Sequence, residues 1–470
     1  MLFCSIEFIF IFLPIVLLLY YLVPEKVRNP VLFFSSLIFY LYGERQYIYV
    51  LVLSVVINFF AALVIEKTKN KKKRKVLLVF TLLLDFGVLF LFKYSGFMVR
   101  NLNHLFADYG GGKIQFPVVH LLLPLGISFY TFQTASYVID VYAKKVHAER
   151  NFLDFGTYLC MFPQLIAGPI VKYADMAKQL KRRKYISENL EEGLKIFTLG
   201  LASKMILANP CGAFWNRVQV IGFESISTGL AWLGALSYTF QIYFDFNGYS
   251  LMAMGLCCML GFSIKPNFRQ PYLSKSLTEF WRRWHVSLGT WFREYIYIPL
   301  GGNRKGKLAW IRNMFIVWLL TGIWHGAEWN FFLWGIFLFL VLFLEKIFFL
   351  PFLEKSKVVS RIYMAVLIPV SWMIFAVTDI KELGIYLRRM FGIGTVSLAG
   401  SALHAEIMSA LKTCGIQWLL CFLFIMPYPA EWYEKHKKDK LCIFLLLCIF
   451  WISVYQIIYT KSNPFLYFRF

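Results

Sequence analysis

IWHGAEWNFFLWGIFLFLVLFLEKIFFL, Ile323–Leu350, is the stretch that decides the fold. The hydrocarbon core of a bilayer is about 30 Å thick and takes about 20 apolar residues of helix to cross. This run is longer than that, and formal charge enters it only at Glu328, Glu345 and Lys346. The whole chain has the same character. Of its 470 residues, 59% are hydrophobic and 16% charged, with a mean hydropathy of +0.60. An ordinary soluble domain carries about 25% charged residues. Apolar surface on this scale does not fit inside water-soluble cores. Aromatics reach 19%, which suits lipid-facing surfaces and interfacial belts. The fold class is therefore all-α, a polytopic membrane protein with the bilayer as its solvent.

Further apolar spans fall near 5–23, 30–43, 46–65, 76–99, 118–142, 152–171, 193–209, 228–264, 308–322, 361–378, 415–433 and 441–459. They predict about ten or eleven transmembrane helices, with re-entrant and interfacial helices besides. The first run, Ile6–Val23, lacks a basic region before it and is long enough to span, so it reads as a membrane helix rather than a cleavable signal. Segment 228–264 is too long for one crossing, and Asp245, Asn247 and Gly248 predict a break inside it. No soluble domain or repeat interrupts the chain, so 1–470 reads as one membrane-embedded domain. Its parts are amino-terminal helices (1–99), a central core (118–350) and carboxyl-terminal helices with a tail (361–470).

The net charge is +23, from 49 Lys+Arg against 26 Asp+Glu. In a soluble protein that balance would suggest nucleic acid. Here it gathers in four short clusters beside apolar spans: Lys67–Lys75 with seven basic residues, Lys172–Lys184 with six, Asn303–Arg312 with four and Lys435–Lys440 with four. Such clusters mark cytoplasmic loops, so the excess follows from topology and no nucleic acid is implied. Three spans separate the first two clusters. Parity then requires 152–171, interrupted by Pro163, Gly168 and Pro169, to enter and leave on the same side. The last crossing follows a cytoplasmic cluster, which sends the tail SNPFLYFRF to the outside.

The stretch 270–300 differs in kind. Trp281, Trp284, Leu288, Trp291 and Tyr295 recur at steps of three and four, which predicts one face of an amphipathic helix, either at the membrane interface or lining a vestibule. Arg282, Arg283, Arg293 and Glu294 lie off that stripe, and IPLGGNRKG after it reads as a loop.

Few residues carry chemistry. The nine Cys sit mostly in apolar runs without CxxC spacing, so no metal site and no disulfide framework are indicated. His325 lies among Trp324, Trp329 and Trp334, where Gly322, Gly326 and Gly335 thin the packing. It reads either as a neutral general base or as a buried histidine bonded to a neighbouring helix. His285 is surrounded by Arg282, Arg283 and Arg293, which at a cytoplasmic face suit either a phosphorylated cofactor or lipid headgroups. Asp245 and Asn247 either orient a catalytic group or satisfy a broken backbone.

Taken together, FPQLIAGPIVKY (Phe162–Tyr173), FDFNGYS (Phe244–Ser250), PNFRQPYLSKSLTEFWRRWHVSLGTWFREYIYIPLGGNRKG (Pro266–Gly306), TGIWHGAEWNFFLWG (Thr321–Gly335) and FLYFRF (Phe465–Phe470) resemble the membrane-bound O-acyltransferase family. Within it they resemble the alginate O-acetyltransferase branch, and YIPLGGNR favours that branch over the D-alanyl-transferring one. Leu251 departs from the branch, which usually carries an Asp after GYS, so no role is carried over at that position. The resemblance implies helices around a central funnel, with 118–350 as its catalytic core. It implies a catalytic histidine at His325 and a donor, acetyl-CoA, on the cytoplasmic side, with no bound cofactor. It also implies that Tyr467 can hold the acyl group transiently, and that an exported SGNH-hydrolase-like partner completes transfer.

The expectation is a multi-pass O-acetyltransferase of the bacterial cytoplasmic membrane, acting on an extracytoplasmic polysaccharide or peptidoglycan. His325 and His285 are the catalytic candidates, Tyr467 the candidate acyl carrier, Asp245 and Asn247 supporting residues, and Arg282 and Arg283 donor contacts. Two other readings stand beside it: transfer of D-alanyl or another acyl group from a carrier protein, and export of a lipid-linked or acylated sugar. Many exporters carry inverted repeats, and none is found in this sequence.

Overall fold

The computed structural model describes residues 2–109, 115–118, 121–166, 168–183, 187–394, 400–459 and 465–466. Among these no strand occurs, and helices run from Phe8 to Tyr459. Among the described residues seven helices are long and apolar enough to cross a membrane, including Ser187–Ile221, Trp329–Lys355, Lys357–Ala376 and Gly400–Ile425. The sequence reading expected ten or eleven. The difference lies in helices that are short, such as Phe8–Leu22, or that carry more polar residues, such as Thr228–Met259 and Lys307–His325. Chain contacts divide the protein into two compact units: Met1–Leu194 with Ala253–Lys265, and Lys195–Met252 with Pro266–Phe470.

In the first unit the segment 152–171 is broken as its prolines and glycine require. Helix Phe152–Cys160 stops at Met161, the four-residue Phe162–Leu165 follows, and Lys172 is extended where Tyr173–Lys181 begins. Nine helical residues rise only about 14 Å, too little for a crossing. Asn151 starts this helix by accepting the Leu153 and Asp154 N–H groups. Its packing against Glu25–Gly43 is polar at one end and aromatic along its length. Asn29 donates to the Asp154 carboxylate at 2.6 Å, Thr157 donates to the Asn29 carbonyl at 2.9 Å, and Gly156 leaves room for the Phe33 ring.

The second unit corrects two expectations. Thr228–Met259 is a single helix of 32 residues, unbroken at Asp245, Asn247 and Gly248. The Asp245 carboxylate is met from the neighbouring helix instead of by opening the backbone. Lys204 pairs with Asp245, Ser203 donates to the Phe244 carbonyl at 2.9 Å, and a Cβ on Gly248 would lie 2.7 Å from the Gly200 carbonyl oxygen. Glycine at both positions lets the two backbones touch.

The 270–300 stretch is likewise not one amphipathic helix. It forms Leu277–Arg283, Val286–Phe292 and a π-helical turn Arg293–Tyr297. The chain kinks at His285, whose φ of +46° is rare outside glycine. The preceding loop supplies the hydrogen bonds that a continuous helix would have made: Val286 N–H donates to the Asn267 carbonyl, and Arg269 N–H donates to that of Arg283. The aromatic stripe is nonetheless inward: Trp284, Leu288, Trp291 and Tyr295 are buried. The IPLGGNRKG loop is a loop, with positive φ at Gly301, Gly302 and Gly306.

Lys307–His325 and Trp329–Leu344 form a tight antiparallel pair. A Cβ on Gly322 would stand 2.3 Å from the Phe331 carbonyl oxygen, and one on Gly335 would stand 2.6 Å from that of Trp318. Gly335→Val must therefore push the helices apart. The expected cost is about 1–3 kcal/mol, read as an earlier thermal transition of the detergent-solubilised protein. An unchanged transition would mean that this contact does not set the pairing.

Candidate active site

The helix pair delivers His325 to the carboxyl end of Lys307–His325, where its ring is buried. Trp334 meets it edge-on at 5.2 Å and Phe375 at 5.1 Å. Both neighbours are themselves fixed. The Trp334 indole N–H donates to Ser371 at 3.0 Å, and the Asn330 amide donates to the carbonyls of Ile374 and Phe375 at 3.2 and 2.8 Å. His325 is thus held in an aromatic box whose walls are tied to helix Lys357–Ala376.

His285 approaches from the kink. Its Nδ1 lies 3.2 Å from the Asn267 side-chain oxygen, which also accepts from the Ser287 N–H and hydroxyl. That oxygen can only accept, so the ring proton sits on Nδ1 and Nε2 carries the basic lone pair. Burial pushes the His285 pKa down to about 3, so the ring is neutral at any working pH. Trp324 joins the two histidines, with ring centres 6.2 Å from His285 and 4.9 Å from His325.

Both histidines line one cavity of about 280 Å³. Its walls are aromatic, with Trp281, Trp284 and Trp318, and three cations reach it: Arg282, Arg293 and Lys346. A site with two imidazoles and three positive groups in an apolar frame can bind an anionic ligand and move a proton.

Of the other sequence-predicted residues, Arg283 turns away and pairs with Glu279. Asp245 and Asn247 are not among the cavity's lining residues. Asp245 has a different office: one oxygen takes the buried Lys204 ammonium and the other accepts the Leu466 N–H at 2.8 Å. Phe465, also buried, stacks on Tyr249 at 4.7 Å and touches Phe246 at 5.6 Å. Phe246 in turn lies edge-on to His285 at 4.7 Å. Phe465 and Leu466 are therefore packed into the second unit, and Phe465 lies within one ring of His285. Tyr467 lies outside the described residues. The sequence reading did not select Lys204, Asn267 or Lys346 as site residues. Lys204 and Lys346 each carried a signal, as a charge inside an apolar run.

Residues 35–387 match the profile of the membrane-bound O-acyltransferase family, and the chain belongs to that family. It is a multi-pass membrane acyltransferase of the O-acetylating, alginate O-acetylase branch. It is 39% identical to the probable alginate O-acetylase of Pseudomonas syringae pv. tomato, over 94% of this chain and 84% of that protein. It is 31% identical to the peptidoglycan O-acetyltransferase of Helicobacter pylori, over 98% of this chain and 96% of that protein. A more distant relative, the teichoic acid D-alanyltransferase of Streptococcus thermophilus, is 28% identical over 51% of this chain and 60% of that protein.

Proposed function

We propose that this protein takes acetyl from cytoplasmic acetyl-CoA and passes it across the bacterial cytoplasmic membrane for O-acetylation of a polysaccharide or peptidoglycan. The observation that carries this reading is the cavity in which His285, His325, Arg282, Arg293 and Lys346 converge. The cations suit the donor's phosphates, since guanidinium and ammonium groups give charge-assisted bonds to phosphate oxygens. His325 acts as general base and His285, a weak base at its depressed pKa, as a hydrogen-bonding group.

The acyl carrier is Tyr467. His325 takes the phenolic proton while the phenolic oxygen attacks the thioester carbonyl. The C–S bond breaks, the CoA thiolate leaves, and the histidinium returns a proton to it. The aryl ester then meets an acceptor hydroxyl, delivered with an SGNH-hydrolase-like partner, and the phenol is regenerated. Support for the carrier comes from Asp245, Phe246 and Tyr249, which hold the residues just before it beside His285.

Acetyl-CoA labelled in the acetyl group tests the reading on the purified chain. Label should appear on the protein. No label from acetyl-CoA, but label from a D-alanyl carrier protein, would replace acetyl by D-alanyl. Substitution of the cavity cations grades the donor contacts. A lost hydrogen bond to a charged group costs about 1.5–3 kcal/mol, so Arg282→Ala and Lys346→Ala should each raise the acetyl-CoA KM about 10–100-fold and leave kcat nearly unchanged. Unchanged KM in both would remove the phosphates from this end of the cavity.

A further inference from the structure

We propose that Glu345 is a positioning residue, whose carboxylate fixes one wall of the cavity against the other. The inference rests on the reading that an anionic donor enters this cavity. Glu345 is fully buried at the first residue of the π-helical turn Glu345–Phe349, which follows helix Trp329–Leu344. One carboxylate oxygen accepts the Leu277 N–H at 2.7 Å and the Tyr363 hydroxyl at 3.0 Å, and the other accepts the Thr278 N–H at 2.8 Å. Leu277 and Thr278 open helix Leu277–Arg283. Their N–H groups have no partner within the helix and sit at its positive end, so a carboxylate is the group they take best.

The helix does not need Glu345 in order to begin. Ser276 already caps it, accepting the Glu279 N–H at 3.2 Å. What Glu345 adds comes from 68 residues away along the chain. The Leu277–Arg283 wall presents Thr278, Trp281 and Arg282 to the cavity, and the other wall presents Leu342 and Lys346. Neighbouring residues on one π-helical turn thus divide the work: Lys346 enters the cavity and Glu345 grips the opposite wall. π-Turns within helices are frequent at functional sites. Ser360, on helix Lys357–Ala376, holds the chain just before that wall by donating to the Lys275 carbonyl at 3.0 Å. Without the carboxylate the wall drifts, and Arg282 no longer stands opposite Lys346.

Glu345→Gln in the full chain, reconstituted in nanodiscs, tests this. The amide keeps one acceptor oxygen but turns N–H groups toward N–H groups. Hydrogen exchange should rise about tenfold at 277–283 and stay unchanged elsewhere, and the acetyl-CoA KM should rise about tenfold with kcat held within about threefold. Adding Arg282→Ala should raise KM little beyond either single change, because both remove the same contact. Unchanged exchange at 277–283, a kcat loss at constant KM, or fully additive effects would overturn the proposal. If Glu345→Gln does not accumulate as folded protein, Glu345→Asp takes its place, and its shorter reach should give the same pattern at smaller size. A wild-type chain inert toward acetyl-CoA would refute the donor reading alone, and local exchange would then decide whether Glu345 ties the walls.

Discussion

His325→Ala is expected to abolish acyl transfer while the protein still inserts and folds. The size of the effect follows from the chemistry. A phenol or sugar hydroxyl is protonated at neutral pH, and a phenol's pKa is about 10. Attack on a thioester therefore needs a base in place, and a positioned base contributes about 10²–10⁴-fold. The aromatic box of Trp324, Trp334 and Phe375 leaves the imidazole few orientations, so loss of the ring also removes the geometry on which proton transfer depends. Truncation to Ala empties part of that box, so His325→Gln is the cleaner control. It fills the space and forms hydrogen bonds but takes no proton. Both variants should fall by at least about 10²-fold in acetyl transferred per minute, with CoA binding retained. His285→Ala should lose less, because a neutral ring with a pKa near 3 aids by hydrogen bonding rather than by accepting a proton. Should His325→Gln keep most of the wild-type rate while His285→Ala is dead, the two roles are reversed.

Much of this arrangement was legible in the amino-acid order, and the part that was not has one physical cause. Periodicity and apolarity report what a segment wants from its surroundings. The inward face of Trp284, Leu288, Trp291 and Tyr295, the break at 161–172 and the glycine loop at 301–306 all follow from local preference. What failed depended on a partner far along the chain. Asp245 and Asn247 look like helix breakers because an unpaired polar group at membrane depth is costly. Lys204 supplies the missing charge 41 residues away, and the helix runs on. The stripe through His285 looks continuous because spacing carries no information about Asn267, whose carbonyl and side chain pull the chain into a kink. Arg282 and Arg283 are equivalent by composition. Adjacent positions on helix Leu277–Arg283 face different ways, so Arg282 reaches the cavity while Arg283 pairs with Glu279 one turn back. Lys346 and Glu345 were visible as charges within an apolar run, but which of them faces the cavity is set by the π-helical turn.

Tyr467→Phe carries the second large expected effect: acyl transfer to the acceptor should cease, and the label on the protein should vanish with it. The substitution deletes one oxygen atom, so it separates a chemical role from a packing role. A tail that serves only to fill space would tolerate Phe, since Phe465, two residues earlier in the chain, already packs as an aromatic against Tyr249 and Phe246. Mass spectrometry of the carboxyl-terminal peptide after incubation with acetyl-CoA reads the ester directly in the wild-type chain. In His325→Gln the same peptide should stay unmodified, which orders the two residues in one step. Asp245→Asn gives the complementary measurement. It keeps an acceptor for the Leu466 N–H but leaves the buried Lys204 ammonium without its counter-charge. Removing one partner of a buried ion pair costs about 3–5 kcal/mol, so this variant should lose stability as well as activity. Tyr467→Phe should lose activity alone. Normal transfer by a folded Tyr467→Phe protein would eliminate the carrier and require the acceptor hydroxyl to reach the thioester itself. In that case the contacts of Asp245, Phe246 and Tyr249 with the tail would stand as packing only.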